Sequence, residues 1–286
     1  MAYLFNHIAI AGLGLIGGSL ARDIKRLHIA RCVTGYGRNS ERMQKAHNLG
    51  LIDNWRVGFD HSISDADLIV IGTPVCSIAE TIKALAPYLK AGALVTDVGS
   101  VKAPVVEAVG AIMPPTACFI GGHPIAGTEN SGFESSCEGL FVNRICVLTP
   151  TADTDTTSLE KLTYFWKALG AQVITMEVET HDKIFGAISH LPHMVAFSLV
   201  NALVDTPEFD RKILQYSAGG FRDFTRIAAS DPIMWRDIAL MNRGNILHWV
   251  EMFKQSLDTL SEAIASGDGA ALEAFFKKSR DARREL

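Results

Sequence analysis

His7-Ile8-Ala9-Ile10-Ala11-Gly12-Leu13-Gly14-Leu15-Ile16-Gly17-Gly18 is the stretch that decides the fold class. A β-rich run enters a glycine turn, and Ser19 to Ile24 follows at once with helical spacing. Gly12 permits the tight turn, Gly14 the close approach of a pyrophosphate, and Gly17 the packing of helix on strand, while the helix N-terminus offers N–H groups to phosphates. GxGxxG alone also fits a merely tight strand-to-helix turn. Its place directly between a strand and a helix selects the dinucleotide reading, with Gly12, Leu13, Gly14, Leu15, Ile16 and Gly17 as cofactor contacts.

Outward from that turn the β and α units repeat. Cys32 to Tyr36 is the second strand, and Gly37-Arg38-Asn39-Ser40 follows it. An acidic residue here accepts hydrogen bonds from the ribose of NAD, yet none occurs before Glu41. Arg38 stands there instead, and a guanidinium pairs with a 2′-phosphate or stacks on adenine, although a solvated loop arginine looks the same in sequence. The expected cofactor is therefore NAD(P), with a lean toward NADP, and Arg38 and Asn39 join the cofactor set. Ala66 to Pro74 reads as a third strand that breaks at Thr73-Pro74, two further cofactor candidates. A helix over 77–89, a strand over 93–98 ending in Gly99-Ser100-Val101-Lys102, a helix over 103–111, and strands at 119–121 and 141–150 continue the pattern. A helix over 159–169 and a strand over 172–176 complete it. The expectation is an α/β, Rossmann-like, doubly wound and mostly parallel sheet.

Beyond Val178 strand signals fade and helical patterns run through 184–203, 213–216, 233–253 and 256–284. This predicts a dinucleotide-binding domain over 1–178 and an all-α C-terminal domain over 179–286 for substrate binding and dimerisation. The helices are rich in Leu, Met, Phe and Trp, which suits packing against a second subunit as a homodimer.

Composition narrows the function classes. With 48% hydrophobic and 20% charged residues the chain is ordinary globular protein, and a net charge of -4 argues against nucleic acid or an anionic membrane as partner. Five cysteines without Cys-x-x-Cys spacing exclude a recognised zinc or redox motif and suggest buried free thiols in a reducing compartment. The first residues lack a signal-peptide pattern, and no apolar stretch reads as long enough to span a bilayer, so a cytoplasmic protein is expected.

The chemistry is expected around Gly121-Gly122-His123-Pro124-Ile125-Ala126-Gly127-Thr128-Glu129. His123 should sit where a strand leaves the sheet, the place where open α/β sheets bind ligands, held on a turn that Pro124 stiffens. A held histidine near its working pH suggests acid/base work, and Ser100 shares its rim. Other polar residues interrupt the apolar runs of the second half: His181-Asp182, His190-Leu191-Pro192-His193, and Asp223-Phe224-Thr225-Arg226. Taken singly they also read as capping or core histidines and an i,i+3 ion pair. His181, His190 and His193 lack a metal-ligand spacing with carboxylate or cysteine, so no metal is expected.

In their joint order these segments, with Asp97 to Lys102 and Asp223-Phe224-Thr225-Arg226-Ile227-Ala228, resemble the prephenate and arogenate dehydrogenases of tyrosine biosynthesis over nearly the whole chain. The resemblance implies NAD(P)-dependent oxidative decarboxylation of prephenate to 4-hydroxyphenylpyruvate, or of arogenate to tyrosine. It makes His123 the group that accepts the proton of the ring hydroxyl, with Ser100 holding that hydroxyl and the imidazole. Arg226 is implied to bind a substrate carboxylate, and Thr128, Glu129, His181, His193 and Trp235 to line or gate the pocket. Two further readings stand beside it. A β-hydroxyacid dehydrogenase would use Lys183 or Lys212 as base, and a dinucleotide sensor would bind cofactor without turnover.

Overall fold

A computed structural model describes residues 3–128, 130, 132–206 and 211–285, apart from the side chains of residues 211 and 212. Eight strands form one sheet: β1 Phe5–Ala11, β2 Ala30–Gly37, β3 Asn54–Val57, β4 Leu68–Ile71, β5 Leu94–Asp97, β6 Cys118–Pro124, β7 Ile145–Thr149 and β8 Gln172–Thr175. Their order is β3-β2-β1-β4-β5-β6-β7-β8, parallel throughout except between β6 and β7.

Side chains alternate faces along β1, and both faces are buried. Ile8 and Ile10 enter one core with Leu20, Phe165 and Trp166, whereas Ala9 and Ala11 enter a second with Ile69, Ile71, Ile78 and Ile82. That is why the central strands read as unbroken apolar runs. Helices α1 (Leu15–Arg26), α2 (Ser40–Asn48) and α5 (Thr156–Ala168) cover the first face, and α3 (Ile78–Leu85) and α4 (Ala103–Gly110) the second.

Two glycines make the first crossover possible. Gly12 has φ +100°, and a Cβ there would lie 2.7 Å from the Gly72 carbonyl carbon. A Cβ on Gly17 would come within 2.2 Å of the Gly12 oxygen, so α1 can lie this close to the turn only with glycine in that place.

After β8 the chain is helical: α6 (Val178–Phe185), a π-helical segment Gly186–His190, α7 (Leu191–Val204), α8 (Gly219–Thr225), α9 (Pro232–Met241), α10 (Arg243–Ala265) and α11 (Gly269–Arg283). Trp235 and Ile238 of α9, with Met194 and Phe197 of α7, pack on the second core of the sheet.

Several expectations are corrected. His123 does not sit on a turn after its strand. β6 continues through it in antiparallel pairing with Val147, and Pro124 closes the strand opposite Cys146. The His190 to His193 segment does not interrupt the helix, which runs on through a π-helical turn into α7, and that wider turn lies just before Pro192, which has no N–H to give to the preceding turn. No helix ends at Phe253: α10 runs through to Ala265, and the breaks fall at Asn242 and at Gly267, which adopts φ +65° before Asp268 caps α11. The edge strand β3, mostly exposed and half polar, was not foreseen. The cysteines are all free, but only Cys146 is buried. One run, Val178–Val204, is long and apolar enough by length and composition to cross a bilayer, contrary to the sequence reading. It carries buried, hydrogen-bonded His181, Asp182 and His190, which break up the apolar run in sequence but not the helix.

Gly17→Ala is expected to destabilise the fold by about 1–3 kcal/mol, the usual scale for forced overpacking. A Cβ on Gly14 meets nothing within 4 Å, so Gly14→Ala should melt with the parent protein. Thermal unfolding of the two variants checks the contrast, and equal melting temperatures would refute it.

Candidate active site

The carboxyl ends of β1, β4, β5 and β6 meet the N-terminus of α1 along one rim of the sheet. Gly14 caps α1 with no side-chain hydrogen bond, and the space its Cβ would take is open. Leu13 is buried beneath it, while Leu15 and Ile16, half-buried, open the helix. Bare backbone at a helix N-terminus, with room for a close approach, fits the pyrophosphate of a dinucleotide. Arg38 is exposed at the end of β2. Next to it Asn39 caps α2, its Oδ1 accepting from Arg42 N at 2.9 Å. The Thr73 hydroxyl lies 3.3 Å from that of Thr81, and Pro74 leads into a short turn of helix over Val75–Ser77.

Behind the rim lies a fully buried ion pair, Asp97 with Lys102. Asp97 ends β5 and accepts from Gly99 N at 2.8 Å and Gly122 N at 3.1 Å, and the Lys102 ammonium also donates to Gly122 O at 2.9 Å. These bonds fix the backbone on both sides of half-buried Ser100 and immediately before His123.

His123 is 8% exposed. Its Nδ1 lies 2.8 Å from His181 Nε2, and His181 Nδ1 lies 2.8 Å from Asp182 Oδ1. Both nitrogens of His181 are thus engaged within the protein. Phe185 packs on both rings, with centroid distances of 4.8 Å to His123 and 4.6 Å to His181. The Asp182 carboxylate also accepts from Lys102 N and Ala103 N, each at 2.8 Å, and so caps α4 from across the domain boundary. Asn242, buried at the junction of α9 and α10, donates to Asp182 O at 2.8 Å and faces His190 Nδ1 at 3.0 Å.

Burial sets the protonation of these rings. It pushes His123 well below the ordinary histidine value, with the neighbouring His181, Lys102 and His190 adding to the shift. Burial likewise lowers His181 against the opposing pull of Asp182, and brings His190 down to about 4. His193 is lowered by burial, its Nδ1 lies 2.9 Å from Ser189 O, and nearby Arg226 lowers it further. The ring of Trp235 stacks on His193 at 3.7 Å.

The structure therefore brings His123, His181 and Ser100 to one rim and stacks Trp235 on His193, with Arg226 near enough for its charge to act on that ring. Thr128 is exposed on the loop after β6, and Glu129 lies outside the described residues. Lys183 is exposed on the side of α6 away from buried His181 and Asp182, and the Lys212 side chain lies outside the described residues. Sequence reasoning assigned no role to Asp97, Lys102, Asp182, His190 or Asn242. Charged residues at the ends of apolar strands and the His181-Asp182 pair at a helix start were the available signals.

A glycine cradle on a doubly wound sheet, with a buried neutral imidazole on the same rim, defines an NAD(P)-binding oxidoreductase. Residues 20–175 match the family model described as prephenate dehydrogenase, nucleotide-binding domain, and residues 177–278 that described as prephenate dehydrogenase, dimerization domain. The chain is 37% identical over 287 residues to the prephenate dehydrogenase of Bacillus subtilis, covering 100% of this chain and 77% of that one. Its fold matches the Aquifex aeolicus prephenate dehydrogenase solved in complex with hydroxyphenyl propionate and NAD+, with TM-score 0.90, 40% identity and 98% of each chain covered. Synechocystis arogenate dehydrogenase matches with TM-score 0.82 and 34% identity, over 98% of this chain and 99% of that one. The chain belongs to the prephenate dehydrogenase family.

The lowered histidines make stability depend on pH. The unfolded chain takes up protons near pH 6.5, whereas the folded protein resists them, His190 until about 4. Stability contributed by these neutral rings is complete above about pH 6.5 and is lost as pH falls toward about 4. The melting temperature is expected to drop between pH 7 and pH 5, before most carboxylates titrate. A flat profile over that interval would show that the rings are not held neutral.

Proposed function

We propose that the chain catalyses NAD(P)-dependent oxidative decarboxylation of prephenate to 4-hydroxyphenylpyruvate. The observation that carries the reading is His123, a buried imidazole held neutral at a strand end and hydrogen-bonded to His181, on the rim that carries the glycine cradle. A neutral imidazole is ready to take a proton. As the carbinol carbon gives up hydride, its hydroxyl proton passes to His123, loss of the ring carboxylate as carbon dioxide aromatises the ring to a phenolate, and the phenolate oxygen takes the proton back, which leaves His123 neutral again. The nicotinamide, when bound, accepts the hydride. Ser100 would steady the hydroxyl beside the imidazole.

Residues 1–178 would hold the dinucleotide through Gly12 to Gly17, Thr73, Pro74 and Ser100, and residues 179–286 would hold substrate and a second subunit. The substrate is a dianion, which suits the guanidinium of Arg226 next to His193 and stacked Trp235. His181 would serve the pocket by holding His123, and Thr128 would border it from the loop after β6. Exposed Leu240, Leu247, Met252, Leu257 and Ile264 on α9 and α10 suit a homodimer built through the helical half. Arg38, exposed at the end of β2 where NAD enzymes carry an acid, keeps the lean toward NADP. A cytoplasmic setting goes with this reading.

Arogenate is the second substrate to test, since it differs from prephenate only in an amino group for the side-chain keto group, and the Synechocystis structure bears its name. Nicotinamide reduction should be followed with prephenate and arogenate, each with NAD and with NADP. Prephenate with NADP is expected to give the highest kcat/KM, and silence in all four pairings would overturn the proposal. His123→Asn is expected to lower kcat by about a hundredfold or more while dinucleotide affinity holds, the scale for losing a general base. Arg226→Ala should mainly raise KM. Full activity in His123→Asn would refute this role for the ring.

A further inference from the structure

A base must present a bare nitrogen, and an imidazole has two candidates. The neighbours of His123 choose between them. Asp182 stands at the far end of the chain of contacts, and its oxygens already accept two backbone N–H groups at the N-terminus of α4. Neither donor can accept a proton in return, and a helix N-terminus favours an anion, so Asp182 meets His181 as a carboxylate. The His181 Nδ1 atom, 2.8 Å from that carboxylate, must then carry the hydrogen. In a neutral ring this leaves His181 Nε2 bare, an acceptor only. That acceptor lies 2.8 Å from His123 Nδ1, which must donate to it. Neutral His123 then has no hydrogen on Nε2.

We propose that Asp182, acting through His181, holds His123 in the tautomer that leaves Nε2 bare, which makes Asp182 and His181 positioning residues for the base. The inference rests on the proposed role of His123 and specifies how that role is prepared. The alternative arrangement, a hydrogen on His123 Nε2 and a doubly protonated His181, would turn the base into a donor. It would also place a cation beside the Lys102 ammonium, which lies in the same buried cluster and contributes to lowering both rings. Phe185 against both imidazoles restricts their planes, so reorientation does not readily restore the contact once the tautomer is wrong. Because Asp182 also caps α4 and its carbonyl is held by Asn242, the orienting carboxylate is itself fixed by both halves of the chain.

The test reads the ring nitrogens directly. In the full-length wild-type protein labelled with 15N-histidine, with signals assigned by His123→Asn and His181→Asn, both rings are expected as Nδ1–H tautomers at pH 7.5. A hydrogen on Nε2 of His123 would overturn the proposal. Asp182→Asn places an amide where the carboxylate was, and is expected to lower kcat by about a hundredfold or more with KM and dinucleotide affinity within about threefold, as when a tautomer-fixing carboxylate is lost from a catalytic triad. A folded Asp182→Asn protein with parental kcat, or with unchanged 15N shifts at His123, would also overturn it. Should that variant not fold, the wild-type spectrum decides alone. If the wild type turns over neither prephenate nor arogenate, the proposed reaction falls while the spectrum still judges the relay.

Discussion

The buried Asp97–Lys102 pair is the contact on which the rim depends. Each ion is fully buried from solvent, so each needs the other and the backbone groups around them. Asp97 takes the N–H groups of Gly99 and Gly122, and Lys102 donates to the Gly122 carbonyl. One pair thereby ties the end of β5, the start of α4 and the middle of β6. A buried pair of this kind is weak evidence for net stability. What it supplies here is position: the backbone at Ser100 and at His123 is held from the same two side chains.

The helical half joins this frame at few but well-buried points. Asp182 caps α4 from outside, Asn242 holds the Asp182 carbonyl, and Trp235 with Ile238 fills the second core. The helical half and the strand ends of the sheet are therefore bound into one polar network, with His123 at the crossing. The low proton affinity of its rings follows from the same burial that makes the network rigid.

The sheet was legible because each central strand is an apolar run next to a glycine or proline break, and both faces are covered. Gly12 and Gly17 were readable from their spacing between a strand and a helix, and the structure gives the reason: a positive φ at Gly12 and the close approach to the Gly12 oxygen at Gly17. The strand β3 escaped because Asn54-Trp55-Arg56-Val57 is a four-residue, mostly exposed edge strand, too short for its polar/apolar alternation to stand out. The helix breaks were misplaced because periodicity continues across Asn242, whose reason for ending α9 is a bond to a residue sixty positions away. Of the site, His123 and Ser100 could be found from local spacing. Asp182 and Lys102 could not be given roles, because their partners come from separate elements: a carboxylate on α6 reaches N–H groups of α4, and an ammonium reaches the carbonyl before His123.

The π-helical segment between α6 and α7 has a geometric meaning for the pocket. A regular α-helix advances about 100° per residue, so nine residues would put His190 about 180° around the axis from His181. The two rings would then face opposite ways. A π turn takes up roughly one extra residue without advancing the face. His190 is thereby rotated back toward the side that carries His181 and Asp182, where Asn242 meets it. One residue of phase slip lets a single continuous run, Val178–Val204, turn buried His181, Asp182 and His190 toward the same polar network.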